Sequence, residues 1–337
     1  MSRGAKGFFR VIIAIGGHKT ANNGLHVIEG NGGATNFRTM AVSGNLQLKK
    51  GQYTSVFVYS STDNSYKISS ESGFSCNQFS TAVGFRADIA STQVINNKGF
   101  AVVATSWRTS GEPGLYYASG SKINFDVSKG ELTVLEDGIY FCSAQIRVDN
   151  ANSEGLMRLL VTYNKMSETN THGFSSLDGF GGSTNYRSLA VAGTIKLYKK
   201  DTFNVWIYSS DDASYSVHSE SGWGCHLMAT TIGFNAVSDE SQQGTQGWTV
   251  VNSWWVARSA PEQYMVRGGT LYKGFFVVPI AGHYTCSVQL RVGFGTSASN
   301  YFRVILAING LLNFNQGFSA VSSKKTDYKT MYVDALH

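Results

Sequence analysis

Four cysteines are the residues of this chain best suited to covalent chemistry, and they fall at two repeated positions. Cys142 and Cys286 share one context, Cys142-Ser143 before Gln145 and Cys286-Ser287 before Gln289. Cys76 and Cys225 share another, each three residues beyond a Ser-Glu-Ser-Gly run. All four are disulfide candidates, and buried free thiols or links between chains are the alternatives. The acidic turns come next. Asp63 in one repeat and Asp211-Asp212 in the other occupy the same tight turn, with Ser and Asn oxygens beside them. Calcium takes about 6–8 oxygens, often from loops, so these three are weak calcium candidates. A surface turn using Asp and Asn for left-handed geometry is the simpler account. The seven histidines form no H-x-x-x-H and no Cys/His cluster, which argues against zinc. No G-x-S-x-G elbow occurs. The expectation is a non-enzymatic protein with no cofactor beyond the calcium candidates.

These residues must be positioned by repeated elements. Residues 37–85 match residues 186–234 at a constant offset of 149, with 21 of 49 positions identical. Gly138-Ile139-Tyr140-Phe141-Cys142-Ser143 returns as Gly282-His283-Tyr284-Thr285-Cys286-Ser287. Phe9-Arg10-Val11-Ile12, Met157-Arg158-Leu159-Leu160 and Phe302-Arg303-Val304-Ile305 share one pattern. A period of this size is a domain, not a solenoid unit. Period-two alternation is clear in Leu132 to Leu135, in Tyr140 to Val148 and in Val56 to Tyr59, and it reads as strands with one face on a core. Gly-, Ser-, Asn- and Asp-rich turns separate these runs. No segment carries a helical stripe.

Composition agrees with an all-β chain. Glycine is abundant at 37, proline nearly absent at 3, and charged residues make up only 15%. The net charge of +6 comes from lysine pairs such as Lys49-Lys50 and Lys199-Lys200, not from long basic runs. A concentrated patch for nucleic acid is missing, and turn lysines at strand ends account for the pairs. No stretch approaches the ~18 apolar residues of a membrane span. The N-terminus has no secretory pattern, so an extracellular protein would carry its signal outside this sequence.

The repeats divide the chain into residues 1–90, the C-terminal part of a first domain; residues 99–236, a complete domain; and residues 245–337, the N-terminal part of a third. Short polar linkers favour beads on a string over one fused core. Half a sandwich exposes an apolar face and open edges. The sequence is therefore expected to be either a fragment of a longer array or a chain whose halves complement those of its neighbours. The second arrangement is heterologous and builds rings or filaments.

Residues 99–236 resemble the globular domain of the C1q/TNF-like superfamily. Leu132 to Ser143, with Gly138-Ile139-Tyr140, is similar to the family's lead-in to its central strand. Gly193 to Ile207 is similar to its G-x-x-x-L-x-x-G-D hairpin, and Cys225 to Phe234 stands in place of the closing strand. The resemblance implies tandem ten-strand jelly-roll β-sandwiches, an extracellular location and a compact threefold oligomer. It makes the strands of Cys142 and Cys225 neighbours. Antiparallel register, start against end, would then set the two cysteines about five residues apart, roughly 16 Å, whereas a disulfide needs Cα atoms within about 7 Å. It also makes Tyr140, Phe57, Trp206 and Tyr208 core or interface aromatics, with plain sandwich core the preferred reading.

The function read from this sequence is a structural or assembly protein that self-associates, as a trimer or head to tail, into a filament, matrix or higher-order oligomer. The alternative is a secreted lectin-like or pattern-recognition protein binding glycans or a receptor. Core burial has a direct consequence. Tyr140→Ala should destabilise the middle domain by ~3–5 kcal/mol, read as a lower thermal or urea midpoint. Unchanged melting would remove Tyr140 from the core.

Overall fold

A computed structural model describes residues 8–15, 24–30, 54–60, 83–104, 106–109, 117–119, 122–149, 157–163, 173–178, 186–210, 214–219, 221–228, 233–235, 237–238, 254–255, 265–267, 270–272, 275–277, 285–293, 301–307, 317–323 and 328–336. All regular structure among them is β, and every ladder is antiparallel. The middle of the chain forms two sheets. The first runs Tyr186–Leu197, Gly138–Asp149, Gly222–Met228, Gly84–Ile89. The second runs Gly173–Asp178, Met157–Tyr163, Thr202–Ser209, Glu131–Val134, Ile123–Asp126. The chain crosses repeatedly between the sheets: opening strand in the first, the Ile123–Val134 hairpin in the second, Gly138–Asp149 back in the first, Met157–Tyr163 and Gly173–Asp178 in the second, Tyr186–Leu197 in the first, Thr202–Ser209 in the second and Gly222–Met228 in the first. That alternation is jelly-roll connectivity.

Alternation along each strand builds the core. From the first sheet come Phe85, Ala87, Ile89, Tyr140, Cys142, Ala144, Ile146, Val148, Trp223, Cys225 and Leu227. Leu132, Val134, Met157, Leu159, Val161, Phe203, Val205 and Ile207 meet them from the second. Aromatic rings fill the middle: Phe85 stacks on Phe125 at 4.6 Å and meets Trp223 edge-on at 4.7 Å. Tyr140 is 0% exposed, and its hydroxyl donates to the carbonyl of Glu136 at 2.9 Å. Burial pushes that hydroxyl's pKa up to about 12, and the nearby Glu136 and Asp137 charges add to the shift.

Three placements differ from the sequence reading. The closing strand is Gly222–Met228, not a strand from Cys225 to Phe234, so Cys225 sits at its centre. Cys142 is then its direct cross-strand partner, with Cα atoms 4.1 Å apart, and the two form a disulfide facing the core. The separation of roughly 16 Å disappears because the shorter strand covers only the first half of the longer one. Next, Gly84–Ile89 lies in the first sheet of this sandwich, paired with Gly222–Met228, and not at the end of the segment before it. Finally, Gly233–Asn235 pairs with Met265–Arg267, outside this sandwich.

Like ladders recur on either side. Arg158 lies opposite Leu177 and Tyr208, Arg10 opposite Ile28 and Tyr59, and Arg303 opposite Val321. Gly84-Phe85-Arg86 pairs with Ser119-Ala118-Tyr117, as Gly233-Phe234-Asn235 pairs with Arg267-Val266-Met265.

The turn joining Tyr186–Leu197 to Thr202–Ser209 concentrates local constraint. Asp201 accepts the Tyr198 N–H at 2.7 Å, and Lys199 N–H reaches Asp137 at 2.7 Å. Lys200 between them takes a φ of 82°, a left-handed conformation that costs a residue with a Cβ about 1–2 kcal/mol. Lys200→Gly should therefore raise stability by up to about 1 kcal/mol, the gain being partly offset by glycine's unfolded-state entropy. Urea unfolding checks this. A lower midpoint for the glycine variant would contradict it.

Candidate interaction surface

The outward side of the first sheet is the part of the sandwich where polar chemistry gathers. Inward residues alternate with Arg86 and Asp88 on the opening strand, with Ser143, Gln145 and Arg147 on Gly138–Asp149, and with His226 on the closing strand. The ladders set these side by side: Asp88, Gly222 and Gln145 in one row, Arg86, Gly224 and Ser143 in the next, Gly84, His226 and Phe141 in a third. A sandwich facing water would leave this side wet. Here it is not. Arg86, Asp88, Gln145 and Arg147 are each only 7% exposed.

Buried charge must be paired, and two same-strand pairs do this. Arg86 Nη2 donates to Asp88 Oδ1 at 2.7 Å. Arg147 holds Asp149 through two bonds of 2.7 Å, Nε to Oδ1 and Nη2 to Oδ2. Both are Arg-x-Asp, two residues apart, which places both side chains on one strand face. Backbone bonds complete the arrangement. Arg147 N–H donates to the Ser221 hydroxyl, and His218 N–H to the Arg147 carbonyl, both at 2.9 Å. Glycine makes the room. A Cβ at Gly222 would collide with the Asp88 carboxylate and the Arg86 guanidinium, and one at Gly224 with the Phe85 carbonyl. The backbone of Gly24–Gly30 comes close to both Gly138–Asp149 and Tyr186–Leu197.

The residues singled out by sequence are dispersed. Cys142 and Cys225 are joined in the core. Tyr140 is in the core. Trp206 and Tyr208 are half-buried on the face of their strand away from Val205 and Ile207, with Tyr208 against Phe100 at 4.7 Å. Phe57 is half-buried on Thr54–Ser60, opposite Ile12. Cys286 lies on Thr285–Gly293 opposite Ala335. Asp63, Asp211, Asp212 and Cys76 lie outside the described residues. Among the described residues, no group of three or more His, Cys, Asp or Glu could hold a metal ion. The buried ion pairs were missed. Their signal was the repeated Arg-x-Asp with apolar neighbours, Arg86-Ala87-Asp88 and Arg147-Val148-Asp149.

No family model matches this sequence, and no curated protein matches it. Solved structures do match. Murine APRIL at pH 5.0 aligns over 43% of this chain and 98% of its own length, with 15% identity and a TM-score of 0.32. Eiger TNF from S. frugiperda aligns over 49% and 98%, with 9% identity and a TM-score of 0.32. These neighbours are TNF-family jelly rolls. The fold assignment rests on the sheet order itself, which is the jelly-roll arrangement that the C1q/TNF-like resemblance implied. Among the described residues, no helix is long and apolar enough to cross a membrane.

Removing one member of a buried pair strands the other. Asp88→Ala should cost about 3–5 kcal/mol, whereas Arg86→Met with Asp88→Leu should cost clearly less. Chemical denaturation of the single and double variants makes the comparison. Equal losses would mean that the pair is not buried.

Proposed function

We propose that this chain is a non-enzymatic structural protein, built of tandem C1q/TNF-like units, that works by self-association outside the cell as a filament, matrix or higher-order oligomer. One observation carries the reading: the outward face of the first sheet is polar, internally ion-paired and nevertheless buried. A face of this kind is suited to being covered by protein. Water would leave its ion pairs of little worth, and an apolar face would serve a free-standing core better. The repeated ladders support the tandem division into residues 1–90, 99–236 and 245–337, with its limits adjusted for the strands at Gly84–Ile89 and Gly233–Asn235. The Cys142–Cys225 disulfide supports an oxidising, extracellular setting.

Electron microscopy of the purified protein tests this. Filaments or particles of many chains are the expected result. Discrete small particles that bind a glycan array in a calcium-dependent way would overturn it in favour of a recognition protein.

A further inference from the structure

The closing strand of the middle sandwich has a rival in the same chain. Residues 70–79 of the preceding repeat read Ser-Glu-Ser-Gly-Phe-Ser-Cys-Asn-Gln-Phe, against Ser-Glu-Ser-Gly-Trp-Gly-Cys-His-Leu-Met for residues 219–228. The rival carries most of what holds Gly222–Met228 in place. Ser221, whose hydroxyl accepts the Arg147 N–H, is matched by Ser72. Gly222, which leaves room for the Asp88 carboxylate, is matched by Gly73. Trp223, a core aromatic, is matched by Phe74, and Cys225, the partner of Cys142, by Cys76. Residues 70–79 themselves lie outside the described residues.

A wrong choice of strand would be made covalent. Thiol–disulfide exchange depends on thiolate character and access, so the chemistry of the thiols alone does not favour Cys225 over Cys76 as the partner of Cys142. The fold must make the distinction.

The two strands part at two positions, one on each face of the sheet. On the outward face Gly224 lies between Arg86 and Ser143. A Cβ there would strike the Phe85 carbonyl oxygen and come within 3.2 Å of the Arg86 Cα. Both are backbone atoms of a strand also paired on its far side with Trp107–Arg108 and Tyr117–Ser119, so they cannot yield without moving the sheet. The preceding repeat has Ser75 at this place. On the inward face Leu227 is 8% exposed, sits in the core and lies opposite Tyr140. The preceding repeat has Gln78 there, and an amide among apolar side chains is costly without a hydrogen-bond partner. We infer that Gly224 and Leu227 make the middle sandwich select its own closing strand over the like strand of the preceding repeat, and with it the native partner of Cys142. The selection follows from the sequence repeat and the sandwich itself, and it holds whether or not the chains assemble.

Oxidative refolding of the full chain tests this. Reduced, urea-unfolded protein is diluted into a glutathione buffer, whose disulfide form takes up the two thiol hydrogens as each bond forms. Digestion without reduction and mass spectrometry then map the links. The unaltered protein should give Cys142–Cys225 and little Cys76–Cys142. Ser75→Gly with Gln78→Leu gives the rival strand both native features and alters no residue of the middle sandwich. It should raise the share of Cys76–Cys142 about tenfold, the factor expected from relieving one overpacked contact. Gly224→Ser should move the share in the same direction by weakening the native strand. An unchanged share in the double variant overturns the inference, as does a predominance of Cys76–Cys142 in the unaltered protein. The double variant decides the matter even where Gly224→Ser fails to refold, because its middle sandwich keeps every native residue.

Discussion

The middle of this molecule depends on one sheet being covered on both sides. A two-layer sandwich needs only one apolar face per sheet, and the alternating strands supply it. Phe85, Tyr140, Ile146 and Trp223 face inward against Leu132, Leu159 and Val205. The opposite face would ordinarily be free to take any polar residue. Once it is buried, each polar group on it needs a partner. Two Arg-x-Asp pairs, the Ser221 hydroxyl and Gly222, which leaves space for the Asp88 carboxylate, are the local response. Buried pairs of this kind add little net stability. Their consequence is specificity: a strand slipped by one residue would turn Arg86 and Asp88 into the aromatic core and Phe85 out of it.

The disulfide belongs to the same constraint. Cys142 and Cys225 are directly opposed only in the register that also sets Ser143 against Gly224 and Gln145 against Gly222. The bond closes a loop of 83 residues that includes most of the second sheet. In the chain-entropy picture such a closure is worth roughly 4–5 kcal/mol, comparable to the whole stability of a marginal domain. The polar face and the covalent link thus specify one alignment of Gly138–Asp149 against Gly222–Met228 by different means.

Much of this was legible in the residues. Alternation from Tyr140 to Val148 identified a strand and its inward face, and Tyr140 lies where that alternation puts it. The glycine-rich, proline-poor composition and the absence of a helical stripe pointed to an all-β fold, and the repeats located equivalent strands. Strand ends were not legible. Cys225 was set at the start of its strand because the family resemblance laid Cys225 to Phe234 on the closing strand, although the strand spans Gly222–Met228. Two glycines at positions 222 and 224 look like a loop in isolation, and only the close approach of Asp88 and Phe85 explains them. Gly84–Ile89 was assigned to the preceding segment because strand pairing over more than a hundred residues leaves no local signature. Trp206 and Tyr208 have strand periodicity, but periodicity does not say which face of a strand meets the core.

Accessibility of His226 tests the doubly covered sheet most directly. This histidine lies on the outward face and is 6% exposed, so a sandwich with that face in water would present it to reagent. Diethylpyrocarbonate labelling of the intact protein, followed by peptide mass spectrometry, should modify His226 far more slowly than in the urea-unfolded chain. Labelling at the unfolded rate in cooperatively folded protein would contradict a sheet buried on both sides.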